Sequence, residues 1–335
     1  MSRIHFLNVE EGDCSIIEHE DGKVSMIDIC CGNIEKSEDK TFSANESTGG
    51  VKGNFHQKEH PNNPISYLRG LGIKDIFRYI QTHPDMDHMD GLLNLYESVP
   101  ILNFWDTENT KEQAFDENGK SGRYIKEDWD CYQKLRKSKE APKALFYYDG
   151  AKNKYYAEDD NGTLQDDYLQ ILSPTKQLIN DANETGDWND NSYVILHCSH
   201  GFKILFCGDA DMGTINHLLK NHIDEVSNLD VLVAPHHGRD SDKDFHFLDV
   251  MKPKLTLFGN AQNKFLAHGE WDKREFEHIT NNQAGNILIE IEPGCLHVSA
   301  SNQKFAENYC NQNGGDSTHK NNAVTGYWRL FKRNK

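Results

Sequence analysis

Four residues with metal-binding side chains fall within six positions: His83, Asp85, Asp87 and His88. Imidazole nitrogen and carboxylate oxygen both suit divalent cations. On an extended loop alternate residues project to one side, so 83, 85 and 87 can converge while 88 turns to the opposite flank. That arrangement can serve two metal ions side by side. An Asp at a helix start can also be a cap, but capping does not account for two histidines bracketing the acids. Three more features of this kind close apolar runs: Asp28, then Asp209 after Gly208, then His236-His237-Gly238. Each alone reads as a turn residue. Together they suit strand ends that face one crevice.

These side chains need elements to hold them. Residues 3–9, 14–18 and 23–29 read as strands, the last two as a hairpin around Glu20-Asp21-Gly22. The polar stretch 33–63 reads as a surface excursion. Residues 64–71 suggest a helix, and 74–81 leads into a strand ending at Thr82-His83-Pro84. Residues 91–96 have helical spacing through Leu92, Leu93 and Leu95. The His/Asp cluster thus sits on a strand-to-helix loop, a common place for chemistry in α/β enzymes. Strand patterns return at 168–172, 193–197, 202–206, 231–234 and 255–259, with a helix at 212–220 and a late hairpin at 286–291 and 296–300. Between the two halves, 103–168 is rich in Lys, Glu, Asp and Tyr and weakly periodic. It reads as an insertion lying over a site. Strands followed by alternating strands and helices, twice over, predict two sheets between helices.

The chain has 335 residues, with 53 acidic and 36 basic side chains and a net charge of −17. The length can bury a core. The acidic balance argues against coating DNA or an anionic membrane by bulk charge. No apolar run is long enough for a membrane helix, and Met1 to Asp13 does not read as a secretory signal. None of the eight cysteines forms a CxxC pair, so reduced thiols in a cytoplasmic protein are expected rather than a structural zinc knuckle.

The pattern His83-x-Asp85-x-Asp87-His88, with Asp209 and His237 downstream, resembles the metallo-β-lactamase superfamily. Its closer likeness is to the soluble hydrolase domain of ComEC-type DNA-uptake competence proteins. The matching segments are Phe6-Leu7-Asn8-Val9 with Gly12-Asp13, Ile27-Asp28, the cluster itself, Asn189-Asp190-Asn191-Ser192, Gly208-Asp209, Pro235-His236-His237-Gly238 and Asn260 through His268-Gly269. The resemblance runs from about residue 3 to 291. It implies an αββα sandwich; the chain reads as one domain across 1–335, with the insertion at about 103–168 and a basic tail at 317–335. It also implies a hydrolase with two divalent ions, one position of which is weak. The wider superfamily usually has His where this chain has Asp85, and a further His ligand before Asp209. Here only His197 and His200 occupy that interval, on a strand pattern that favours a structural role. The extra carboxylate shifts the expected metal toward Mn²⁺ or Mg²⁺, with Zn²⁺ still open.

The expected ligands are His83, Asp85, Asp87, His88, Asp209 and His237, with His236 as the alternative to its neighbour. Asp209 is the candidate bridge, and Asp28 is expected to orient a ligand from behind. Cations held there would activate water and neutralise phosphoryl oxygens. His268 is the candidate proton donor to the leaving oxygen. Asn191 and Ser192 suit either phosphate binding or a strand cap, and the resemblance favours the first. The expected activity is a metal-dependent phosphodiesterase or nuclease acting on DNA. Its partners are DNA, single strands included, and a separately encoded protein. Two stretches suit a single strand. One is 120–143, where eight basic and four acidic residues mix with Tyr124, Trp129 and Tyr132. The other is the basic tail with Tyr327-Trp328. A rival reading is a small-molecule hydrolase for a lactone, thioester, lactam or cyclic nucleotide. A binding module without catalysis is the third.

Overall fold

The computed structural model describes residues 1–33, 53–240, 244–313 and 326–335. Several strands bury both of their faces. Ile16 and Ile17, Met26 and Ile27, Tyr79 and Ile80, Phe104 and Trp105 are all buried, although successive strand side chains point to opposite faces. Ile17, Ile27, Ile80 and Trp105 join a central apolar layer, while Ile16, Met26, Tyr79 and Phe104 join an outer one. The same split separates Ile195 and Phe206 from Leu196 and Leu205. Three apolar layers lie between four layers of backbone, which is the αββα sandwich.

The first sheet holds β1 (Ser2–Phe6), β2 (Ser15–Glu18), β3 (Val24–Ile27), β4 (Ile76–Ile80) and β5 (Ile101–Trp105). A separate hairpin of β6 (Lys120–Ser121) and β7 (Tyr124–Ile125) follows. The sheet continues through β8 (Lys143–Leu145), β15 (Ile287–Glu292), β16 (Cys295–Ala300) and β17 (Trp328–Asn334), in the order β17-β16-β15-β1-β2-β3-β4-β5-β8. The second sheet holds β9 (Asp167–Ser173), β10 (Val194–Ser199), β11 (Phe202–Phe206), β12 (Val231–Val233), β13 (Thr256–Phe258) and β14 (His278–Thr280), in the order β14-β13-β12-β11-β10-β9. Helices α1 (Pro64–Leu71), α2 (Leu92–Ser98) and α3 (Lys126–Leu135) cover the first sheet through Ile65, Leu68, Leu92, Leu95 and Tyr132. The short α4 (Lys176–Thr185) buries Ile179 and Ala182. Helices α5 (Met212–Asn221), α6 (Ile223–Val226), α7 (Phe247–Met251) and α8 (His268–Asp272) cover the second sheet through Ile215, Leu218, Val226, Phe247 and Trp271. After α9 (Asn281–Ala284), α10 (Gln303–Asn313) adds Phe305 and Tyr309 to the central layer. No helix among the described residues is long and apolar enough to cross a membrane.

Helix α1 shows how local chemistry sets these borders. The Asn63 side chain accepts from the Ile65 and Ser66 amides, Pro64 opens the helix, and Gly72 ends it in the left-handed region. The strands that matter most for the site are parallel: β3 with β4 and β5, and β11 with β12, β13 and β14. Parallel strands deliver their C-terminal ends to one edge of a sheet, and Asp28, His83, Asp209 and His236-His237 all follow such ends.

The borders of 103–168 differ from the sequence expectation. Residues Ile101–Trp105 and Lys143–Leu145 are strands of the first sheet, and β9 starts at Asp167. Helix α3 buries Trp129, Cys131, Tyr132 and Leu135 against that sheet. Edge strand β8 has three residues and no fully buried one, too few to show a period of two. Of the excursion at 33–63, residues 34–52 lie outside the described ones, as do 314–325 before the strand β17. All eight cysteines are free thiols and buried.

Candidate metal centre

Gln81, just past β4, holds both ends of the cluster loop: its Nε2 donates to the His83 carbonyl at 2.9 Å and the His88 carbonyl at 3.1 Å. His83 and His88 are fully buried. Across from them, Gly208 (φ 52°) precedes Asp209, and a Cβ there would come within 2.9 Å of the Thr82 Cβ, so only glycine lets the two loops meet. His236 and His237 adopt φ of 53° and 58°. Left-handed backbone is costly for residues with a side chain and clusters where function demands it. Here it aims two successive rings at one carboxylate.

That carboxylate is Asp209, and its two oxygens face different partners. Oδ1 lies 3.2 Å from His88 Nε2 and 3.6 Å from His237 Nε2. Oδ2 lies 3.8 Å from His83 Nε2 and 3.6 Å from His236 Nε2. Asp87 Oδ2 is 3.8 Å from His237 Nε2, and Asp85 Oδ2 is 3.9 Å from His83 Nε2. Ligand atoms of Asp87, His88, Asp209 and His237 all lie within 4.8 Å of one another. The side chains therefore sort into two halves about Asp209. Sequence left His236 and His237 as alternatives; the geometry gives each its own oxygen.

Behind the outer nitrogen of each buried ring lies an oxygen. Asp28 Oδ2 meets His88 Nδ1 at 2.7 Å, while its carboxylate also accepts from the Thr82 amide (2.7 Å) and hydroxyl (2.6 Å). His83 Nδ1 meets Thr82 Oγ1 at 3.0 Å. His237 Nδ1 lies 3.1 Å from Asp13 Oδ1. Nε2 is thereby left for the centre, the arrangement of a metal-ligating histidine with a supporting oxygen. Burial pushes His237 toward the neutral form, but Asp209, Asp13 and Asp87 outweigh it and hold its pKa up at about 10. Burial likewise opposes charge on His88, and Asp209 and Asp28 prevail to raise it. Burial also raises Asp209, but His237, His88 and His83 overcome this and lower it. His83 is lowered, by burial and then by His88. The acids thus draw positive charge into a buried space.

Four atoms test whether that charge suits a metal. His83 Nε2, His88 Nε2, His237 Nε2 and Asp209 Oδ1 are buried without a hydrogen-bond partner. Orphaned buried donors and acceptors are costly, and here they converge. A set of imidazole nitrogens and carboxylate oxygens left in this state fits divalent cations. Lys111 also reaches in, with its ammonium against Asp85 Oδ1.

The remaining expected residues fall around this core. Asn191 and Ser192 are fully buried, with the Asn191 amide and the Ser192 hydroxyl unpartnered. Ser192 Cβ would lie 3.3 Å from a Cβ at Gly208, which places it at the centre's wall. His268 stands outside the ligand cluster. It lines a cleft of about 260 Å³ with Asn260, Thr280 and Gln283, at the ends of β13 and β14. Its Nδ1 is 2.9 Å from His278 Nε2, and its ring stacks on Phe258. His197 bonds to Asp167, and His200 lies 2.8 Å from Glu20 Oε1; neither joins the centre.

Sequence reading missed Asp13, Thr82 and Lys111. Gly12-Asp13 was noticed as a segment but given no role. A pairing between residue 13 and residue 237 has no local signal. Lys111 sat in a stretch with many lysines and nothing to single it out.

No protein-family model matches the chain, and no curated protein does. Among solved structures it is similar to CmlA, a diiron β-hydroxylase from Streptomyces venezuelae, at 9% identity over 87% of this chain and 54% of that one, TM-score 0.45. It is similar to a diphosphatase of the PhnP family at 12% identity over 87% and 98%, TM-score 0.45. It is also similar to the Rm3 metallo-β-lactamase at 12% identity over 70% and 75%, TM-score 0.35. The chain spans about half the length of CmlA and nearly all of the diphosphatase.

Proposed function

We propose that this chain is a metal-dependent hydrolase of the metallo-β-lactamase type that cleaves phosphodiesters, with DNA as substrate. The observation that carries the reading is Asp209, whose two oxygens face two separate sets of ligand-type side chains. Asp87, His88 and His237 would hold one divalent cation with Oδ1, and His83, Asp85 and His236 a second with Oδ2. Such a pair supplies an acidified water and charge neutralisation for phosphoryl oxygens. Three carboxylates among these ligands favour Mn²⁺ or Mg²⁺, while the histidines keep Zn²⁺ in play.

The chain's own residues do the rest. Asp28, Thr82 and Asp13 fix the rings so that Nε2 faces inward. Lys111 places a cation beside Asp85, where it would meet a substrate phosphate. Arg123 donates to the Glu11 carbonyl at 2.7 Å, and Arg239 lies 3.8 Å from Glu11 Oε2. Both flank the loop that carries Asp13, so they extend positive charge along the rim. Asn191 and Ser192 would steady the phosphate from the wall. His268 would give its proton to the leaving oxygen from the adjoining cleft. That cleft, about 260 Å³ in volume, also favours a second reading, a compact lactone, lactam, thioester or cyclic nucleotide as substrate.

One panel separates these. Purified protein is incubated with single- and double-stranded DNA, RNA, bis-p-nitrophenyl phosphate, a lactone, a lactam and a thioester. Each is run with Mn²⁺, Mg²⁺, Zn²⁺ or chelator. Cleavage of DNA and the phosphodiester, lost with chelator and in Asp209→Asn, is expected. Intact nucleic acids with every metal, beside turnover of a small ester or lactam, would replace the nuclease by the second reading.

A further inference from the structure

Among the described residues, three groupings of metal-type side chains lie outside the centre. In the first, made of His19, Asp167 and His197, Asp167 bonds to both rings and His19 uses both of its nitrogens, Nε2 meeting Ser25 Oγ at 2.8 Å. Cys30, Cys31 and Asp90 are fully enclosed, and Asp90 already accepts from the Cys31 amide and the Asn33 side chain. The third grouping, Asp149, His217 and His222, is half-buried.

One of its contacts is not an aligned hydrogen bond. His222 Nε2 lies 2.8 Å from Asp149 Oδ1, yet neither atom makes a hydrogen bond. Two atoms that approach this closely without donor-to-acceptor alignment point past each other into shared space. Ligands around one zinc behave so, because donors each about 2.0–2.1 Å from the ion sit about 3 Å apart. The buried His88 Nε2 and Asp209 Oδ1 of the centre share the same orphaned state. His217 Nε2 lies 3.1 Å from Asp149 Oδ2 and 3.2 Å from the Leu172 carbonyl.

The backbone builds this site. Helix α5 ends at Asn221, and His222 leaves the helical region with φ of −131°, which brings its ring to 5.3 Å from that of His217. Asp149 is fixed by its amide to the Pro174 carbonyl at 2.9 Å. Each ring also has a polar group behind it. The Asn221 side chain is 2.9 Å from His217 Nδ1, and Glu225 Oε2 is 3.9 Å from His222 Nδ1. Such outer partners set the tautomer of ligating histidines. Asn221 Nδ2 also donates to the His217 carbonyl at 3.1 Å, so ligation through Nε2 requires the Asn221 side chain to turn away and His217 to carry its hydrogen on Nδ1.

We propose that Asp149, His217 and His222 form a separate zinc site with a fourth position open to water. Two imidazoles and one carboxylate suit Zn²⁺ better than Mg²⁺ or Ca²⁺. The site ties the segment after β8 to α5, the helix whose N-cap, Asp211, follows two residues after Asp209. Its role is to clamp the helix that carries on from the bridging carboxylate.

The test counts metal and does not depend on hydrolysis. Full-length protein is stripped with chelator, dialysed against Zn²⁺, and its bound zinc measured by plasma mass spectrometry. His222→Ala and the milder Asp149→Asn should each bind one zinc per chain fewer than wild type, with unchanged circular dichroism. Equal counts in wild type and both variants would overturn the proposal, whatever the centre binds or cleaves. Zinc-soaked wild-type crystals give a reading that needs no variant. An anomalous peak between His217, His222 and Asp149 is expected, and density at Asp209 alone would also overturn it.

Discussion

Asp13 is the residue whose role is easiest to isolate, because it touches His237 and no other ligand ring. Removing an oxygen that supports a ligating histidine typically lowers metal affinity about 10–100-fold. Asp13→Asn is expected to do this while leaving the fold intact, as competition with a chromophoric chelator would show. Affinity within twofold of wild type would remove Asp13 from the centre. Lys111 makes a two-sided prediction. Its ammonium occupies the neighbourhood of Asp85, so Lys111→Met should tighten metal binding there and yet slow phosphodiester turnover at saturating metal. Unchanged values of both quantities would reduce the contact to an ordinary ion pair. These residues show what was legible. His83, Asp85, Asp87 and His88 declare themselves because four ligand types crowd one loop. Asp13 and Lys111 do not, because their partners arrive from residues 237 and 85 only through the folded sheets.

At the scale of elements, the loops around the centre depend on backbone approach. A Cβ on Gly91, whose φ is 101°, would lie 2.2 Å from the Gly32 Cα. Gly91→Ala combines left-handed strain with overpacking and should cost about 2–5 kcal/mol in urea unfolding. A loss below about 0.5 kcal/mol would mean that the two loops part freely. The opposite ends of the strands carry a polar plug of His19, Ser25, Arg78, Asp167 and His197. Burial holds His19 down at about 4, with the nearby Arg78 charge adding to it and Asp167 opposing. The native state therefore prefers neutral His19, and its contribution is full above the ordinary value near 6.5 and lost as pH falls toward 4. Across pH 7 to pH 5 this amounts to about 2 kcal/mol. His19→Gln should flatten that part of the stability profile, and an unaltered pH slope would mean that another group sets it. None of this plug was readable in advance, since His19, Asp167 and His197 lie on three different strands or strand ends. The strands themselves were readable, because buried β-branched and aromatic runs bounded by Gly and Asp recur down the chain.

At the scale of the molecule, the question is how a chain of net charge −17 meets a polyanion. The basic tail was one expected answer, and the position of its described part, 326–335, argues against that part. Strand β17 runs away from the centre: Trp328 pairs with Ala300 near the site edge, and Asn334 with Cys295 at the far one. There Lys335 is 3.1 Å from Asp230 Oδ2 and Arg333 is 3.0 Å from Glu277 Oε2. Among the described residues, Lys111, Arg123 and Arg239 stand close to the centre, each also beside an acid. Three phosphate contacts on a single strand give a slope of about −2 in log affinity against log salt, at about 0.7 per phosphate. Fluorescence anisotropy of a labelled single-stranded oligonucleotide, with the inactive Asp209→Asn protein between 50 and 200 mM salt, measures this. The shallow slope is expected, together with no change in Lys335→Gln or Arg333→Gln. A slope steeper than about −5, or one that either tail variant relaxes, would mean that the strand crosses a broad basic face and that local charge at the centre is not what recruits it.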